Sequence, residues 1–204
     1  MMMQMKYILI LLSLILYGEG VFAKPVRDAA KYQIRVLGMN VGEFAVTQEL
    51  VDGDLSVEAV TDIEVKIIFT YKVRYTQQSH YQNGNLSKYR VQTLKNGSIN
   101  SDTQLKRMDE AYLLIKDGDS TLVHENITYS GSLLYFNEPK QDSLMYNERN
   151  GEMKSIRATA DNTYVITDRK GRRTNEYHYK DGILETAILE HPIATIYMER
   201  SHQN

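Results

Sequence analysis

From Leu55 to Tyr75 every odd position is Leu, Val, Ala, Thr, Ile, Phe or Tyr, and nearly every even position is polar. A period of two puts one set of side chains on a buried face and the other in water, which is the signature of a half-wet β-strand. The core face stays odd throughout and the run holds no Gly, Pro or Asn, so it reads as one long strand without a hidden two-residue turn. At about 3.3 Å per residue such a strand would reach roughly 70 Å. A chain of this length has a radius of gyration near 16 Å. The strand is therefore expected to bend strongly, with the bend or bulge near Val65 to Ile68, as a curled sheet or partly closed barrel requires.

Turn dipeptides extend the same pattern along the chain, at Asp52-Gly53, Asn83-Gly84, Asn96-Gly97, Asp117-Gly118, Asn150-Gly151, Lys170-Gly171 and Asp181-Gly182. Spaced in this way between β-prone segments, they mark an antiparallel meander. Parity assigns the turn types. Leu50 and Leu55 fall on opposite parities across Asp52-Gly53, so that turn has two residues. The core face stays odd across Asn83-Gly84 and Asn96-Gly97, so those read as three-residue loops with a left-handed glycine beside a bulge. Further strands are expected at 156–160, 164–167, 176–180, 183–189 and 194–199. The segment Asn126 to Pro139 departs from the pattern: Tyr129, Leu133 and Phe136 recur at helical spacing, and Pro139 stops the run. It is expected as a short helix or irregular plug at one mouth of the sheet. The whole is an all-β fold, a single antiparallel meander forming a strongly curled sheet or open barrel.

The N-terminus reads as a secretory signal: Lys6, an apolar run from Tyr7 to Leu16, and small residues Val21 and Ala23 before an expected cleavage ahead of Lys24. That run is too short to span a bilayer as a helix. Residues 1–23 are thus a signal peptide and 24–204 a single β domain, exported to the periplasm or beyond. The chain has no cysteine, so neither a disulfide nor a thiol nucleophile is available. A net charge of -2 gives no global attraction to nucleic acid or to an anionic membrane.

No catalytic motif emerges. Glu58, Asp62 and Glu64 share the even face of the long strand with Lys66 and Lys72, and read as a solvated, charge-mixed surface. His80, His124, His178, His191 and His202 lack ligand spacing, so neither a metal nor another cofactor is expected. Asp52-Gly53-Asp54 and Asp117-Gly118-Asp119 lack the remaining ligands of a calcium loop. The basic run Arg169, Lys170, Arg172 and Arg173 flanks Gly171 and reads as an edge-protecting hairpin tip. Tyrosine is the unusual component: 15 in all, 13 after Tyr7 and Tyr17 are set aside, with no tryptophan. Tyr71, Tyr75, Tyr89, Tyr177 and Tyr179 are the candidate ligand-binding residues, with rings to line a hollow and hydroxyls to orient an amphipathic guest.

Leu134-Tyr135-Phe136-Asn137-Glu138-Pro139, Tyr146-Asn147-Glu148, Tyr164 and Asn175-Glu176-Tyr177-His178-Tyr179 before Asp181-Gly182 resemble a family of exported bacterial envelope proteins known only as a domain of unknown function. The Gly38 and Gly42 turn and the stretch from Tyr81 to Leu86 add to the likeness. The resemblance implies an exported, mostly β protein and supplies no activity, cofactor or catalytic residue. Three functional readings follow. The first is a non-catalytic envelope protein holding a lipid or other amphipathic ligand in the concave face. The second is a scaffold module binding an envelope protein through a sheet edge or Tyr-rich patch, and the third a hydrolase.

Overall fold

The computed structural model describes residues 25–66, 70–168, 171, 174–192 and 194–202 of the chain. Fourteen strands form one antiparallel sheet: β1 Val26–Val36, β2 Met39–Val51, β3 Asp54–Lys66, β4 Thr70–Gln82, β5 Asn85–Lys95, β6 Ser98–Arg107, β7 Tyr112–Lys116, β8 Asp119–Val123, β9 Leu144–Asn147, β10 Glu152–Ala160, β11 Thr163–Thr167, β12 Thr174–Lys180, β13 Ile183–Leu189 and β14 Ile196–Arg200. Their order is β8-β7-β6-β5-β4-β3-β2-β1-β14-β13-β12-β11-β10-β9. The first and last strands therefore meet in the middle, Tyr32 opposite Arg200, and the sheet stays open between β8 and β9. The five strands expected after Ile156 are all present, with ends displaced by a few residues.

The expected long strand is two strands. β3 and β4 pair antiparallel from Leu55 opposite Tyr81 to Lys66 opposite Thr70, so the chain reverses where a bend was expected. Paired positions sum to an even number, and an odd-length connection leaves the core face on the same parity. Alternation alone cannot tell such a hairpin from a continuous strand. The connecting residues 67–69, Ile68 among them, lie outside the described residues, and they contain none of the usual turn formers.

The register irregularities lie in other strand pairs, where bulges increase local twist and bend the ribbon. Register shifts occur in β1–β2, β4–β5, β5–β6, β10–β11 and β12–β13. Asp52-Gly53 is a two-residue turn as expected, pairing Leu50 with Leu55. Asn83-Gly84 and Asn96-Gly97 are two-residue turns as well, and not three-residue loops. Asn83 and Gly84 both hold positive φ, at 50° and 75°, as the favoured hairpin turn requires. The parity is restored just beyond, where Tyr81 faces Leu86 but His80 faces Lys88, leaving Ser87 as the extra residue. Gly42 is not in a turn. It lies within β2, where a Cβ would meet the Asp62 carbonyl oxygen of β3 at 2.2 Å.

Inward-facing residues of the strands form the core, from Tyr32, Phe44, Val46 and Val57 through Tyr89, Val91 and Leu105 to Tyr164, Leu184 and Ala187. The outward face carries charge. Asp62 pairs with Arg74 at 3.6 Å and Glu64 with Lys72 at 3.1 Å, both directly opposed across β3 and β4.

Candidate functional site

The inside of the curled sheet is occupied by the chain itself. After β8 the chain enters the concavity, where Ile127, Ser130 and Ser132 are fully buried and Tyr129, Leu133 and Leu134 nearly so. Its regular structure is one 3-10 turn, Gly131–Tyr135, and not the α-helix that the spacing of Tyr129, Leu133 and Phe136 allowed. Backbone bonds tie this plug to the wall on both sides: Leu86 N–H donates to Ile127 at 2.9 Å, and Tyr146 N–H to Tyr129 at 3.0 Å. The Tyr135 ring lies against Phe44, with centroids 4.8 Å apart, and 6.0 Å from Tyr32. The segment thus fills the interior and is more than a cover at one mouth.

The five candidate tyrosines divide accordingly. The Tyr179 hydroxyl donates to the Leu134 carbonyl of the plug at 2.9 Å, and Tyr89 meets Tyr146 hydroxyl to hydroxyl at 3.4 Å. Tyr75 donates to Gln77 Oε1 at 2.6 Å, and Tyr177 accepts from Asn175 at 3.4 Å. Burial pushes the Tyr177 hydroxyl up to about 12. These four face inward as expected, but they face packed protein. Tyr71 stands apart, exposed, with Lys95 Nζ 4.8 Å from its ring centre. Together the five do not line a hollow.

Where plug, wall and the β9–β10 turn meet lies a buried carboxylate that the sequence places only within the family pattern and not among the candidate site residues. Glu148 is 3% exposed and lies just past β9. Its Oε1 accepts from Gln77 Nε2 of β4 at 3.0 Å, from the backbone N–H of Ser132 at 3.0 Å, and from the Ser130 hydroxyl. The Tyr81 hydroxyl sits 2.5 Å from Ser130 Oγ and 2.9 Å from Ser132 Oγ. Burial is the largest influence on the carboxyl and pushes it above the usual range, against the lowering pull of its donors. A serine hydroxyl donating to a carboxylate resembles an activated nucleophile. Both serines are fully buried, however, so the constellation acts here as a latch between barrel wall, plug and the β9–β10 turn. That turn also tucks inward, its Arg149 carbonyl accepting from Thr103 Oγ1 at 3.1 Å.

Gly131 makes room for this latch, because a Cβ there would lie 2.8 Å from Glu148 Oε2. Gly131→Ala should displace the carboxylate and cost about 1–3 kcal/mol of stability, the usual penalty of overpacking. Chemical denaturation of the two proteins checks this.

The other expected sites are ordinary surface chemistry. Glu58 accepts from Gln78 at 3.4 Å, and with Asp62 and Glu64 it belongs to the cross-strand ladder. His178 pairs with Glu176 at 2.7 Å and His202 with Glu185 at 2.6 Å. His80 Nδ1 lies 2.9 Å from Ser56 Oγ. Asp117 accepts from the Asp102 N–H at 2.9 Å within turn structure. Among the described residues no group of three His, Asp or Glu is placed to hold a metal. The signal segment 1–23 and the basic residues 169, 170, 172 and 173 lie outside the described residues. No helix among the described residues is long and apolar enough to cross a membrane.

Two open depressions lie on the outer face of the sheet. One, of about 480 Å³, crosses β2 to β5 over Thr47, Glu58, Val60, Arg74 and Gln92. The other, of about 370 Å³, crosses β4 to β7 over His80, Lys88, Gln104, Lys106 and Ile115. Gln78 and Arg90 border both.

A meander wound around its own plug, with two recesses on its outer face, defines a barrel-like, all-β class. Residues 32–201 match the family model described as "Domain of unknown function (DUF6134)", and the chain belongs to that family. Among solved structures it is similar to a β-barrel-like protein of domain of unknown function DUF1849 from Brucella abortus. The TM-score is 0.55 at 10% identity, over 89% of this chain and 98% of that one. This likeness is one of fold. No curated protein matches.

Proposed function

We propose that the protein is a non-catalytic, exported component of a bacterial envelope that binds its partner on the outer face of the sheet and not within it. The observation that carries this reading is the filled interior. Residues 127–134 occupy the space that an amphipathic guest would need; of the candidate tyrosines, Tyr179 bonds to the plug, and Tyr75, Tyr89 and Tyr177 bond to neighbouring residues of the wall. Two recesses of the outer face, across β2 to β7, are lined mainly by side chains of the water-facing set. Export and removal of residues 1–23 belong to the same reading and rest on the sequence pattern.

The test uses a photo-crosslinking residue placed in the exporting cell at Gln92, in the outer recess, or at Lys180, exposed on β12. Crosslinks to an envelope component from position 92 and none from 180 are expected. A stoichiometric small molecule in native mass spectra of gently extracted protein, lost when Tyr179 is replaced, would contradict the reading.

A further inference from the structure

On the outer face, one row of directly opposed residues runs His80, Lys88, Lys106, Leu113 and Leu122 from β4 to β8. Lys88 and Lys106 are the anomaly in it. Directly opposed residues hold their Cβ atoms about 5 Å apart, and like charges so placed repel. Elsewhere on this sheet charges find partners: Asp62 pairs with Arg74 and Glu64 with Lys72, Arg90 takes Asp102 at 2.6 Å, and where Glu43 directly opposes Asp62 each has its own cation, Lys31 at 3.2 Å and Arg74 at 3.6 Å. No ion pair joins Lys88 or Lys106 to an acid among the described residues, and the next residue in the row is a histidine.

The other half of the row is apolar. On β7 the alternation fails: Tyr112 and Leu114 are buried in the core, yet the outward positions are Leu113 and Ile115. Leu122 of β8, opposite Leu113, is 58% exposed. Its exposure makes the apolar end a surface and not an enclosed pocket. Cations beside an exposed apolar strip are the two elements by which proteins settle on an anionic lipid surface.

We infer that this corner of the sheet is a peripheral membrane contact, with Lys88 and Lys106 receiving the phosphates of anionic phospholipid and Leu113, Ile115 and Leu122 entering the interface. The inference rests on the outer-face reading above and gives it a ligand class. The overall charge of -2 does not oppose it, since screening confines the interaction to within about 10 Å of the patch.

The experiment is co-sedimentation of the protein, purified after export, with vesicles of mixed phosphatidylglycerol and phosphatidylcholine or of phosphatidylcholine alone. Binding to the mixed vesicles only is expected. Lys88→Gln with Lys106→Gln should weaken it about thirtyfold, as two surface cations would. Leu122→Ser should weaken it about tenfold or more, and Lys180→Gln should leave it unchanged. Melting temperature provides the folding control, and the double lysine variant should melt no lower than the parent, because a repulsion is removed. Equal binding to both vesicle types, an unaffected double variant, or free glycerol phosphate bound as tightly as the vesicles would overturn the inference. Should vesicle binding fail while crosslinks from position 92 persist, the lipid assignment falls and the outer-face reading stands. Loss of both removes the outer-face reading itself.

Discussion

Replacing Glu148 by alanine should cost at least about 3 kcal/mol of folding stability, the largest effect expected of any single polar residue in this chain. The change strips the acceptor from Gln77, Ser130 and the Ser132 N–H, all in the buried interior. Hydrogen bonds to a charged partner contribute about 1.5–3 kcal/mol, and buried donors left unpaired add their own desolvation cost. Glu148→Gln should behave quite differently, since it keeps an oxygen for the same donors. Its effect has a sign set by pH. Burial raises the Glu148 carboxyl above its ordinary value, so the fold favours the protonated form. That preference stabilises in acid, and the advantage is lost as pH rises from the unfolded value, near 4.3, to the raised folded one. The glutamine variant should therefore match the parent in acid and gain on it toward neutral pH. Denaturant titrations of the three proteins at acid and neutral pH read both effects. A parent that outlasts the glutamine variant at neutral pH would show that the donors hold the carboxylate charged.

Tyr32→Ala should cost about 3–5 kcal/mol, as removal of a fully buried aromatic ring does. Tyr32 is 0% exposed and joins three parts of the fold. Its ring lies 6.0 Å from Phe44 on β2 and 6.0 Å from Tyr135 on the plug. Its hydroxyl donates to the Leu184 carbonyl of β13 at 3.0 Å, across the seam where β1 meets β14 and the two halves of the meander join. Tyr32→Phe keeps the ring and loses only that bond, so about 1 kcal/mol is expected. A thermal melt distinguishes the two, and a phenylalanine variant as unstable as the alanine one would place the stabilisation in the hydroxyl and not in packing.

What the residues disclosed follows from which forces act locally. Asp52-Gly53 and its Leu50 to Leu55 pairing were legible because a two-residue turn changes parity. The inward set of Tyr177 and Tyr179, with His178 turned toward water, was legible from alternation alone. The reversal between β3 and β4 was not, since the register conserves parity and 67–69 hold no turn former. Asn83-Gly84 and Asn96-Gly97 mimic three-residue loops for a related reason: a tight turn followed by a bulge moves the face as a three-residue loop does. Glu148 was hidden because its burial depends on Gln77, 71 positions away, and on a plug whose path no periodicity encodes. The opposition of Lys88 and Lys106 was hidden because both are visibly outward, yet which residues face each other across β5 and β6 depends on the extra residue at Asn100.

The motif residues take on a physical meaning in this arrangement. Leu134 accepts from Tyr179, Glu138 from Tyr164 at 2.9 Å, and Glu148 from Ser130 and Ser132. These bonds join wall, plug and the β9–β10 turn, so in this chain those residues close the interior.

Native-state hydrogen exchange followed residue by residue tests that closure most directly. If the plug belongs to the folded core, the amides of Leu86, Ser132 and Tyr146, which bond to or within it, should exchange only through global unfolding, at the rate of the central β3 and β4 amides. Rapid exchange at Ser132 and Tyr146 while those strands remain protected would mean that the plug leaves the barrel, and that the interior is open to a guest after all.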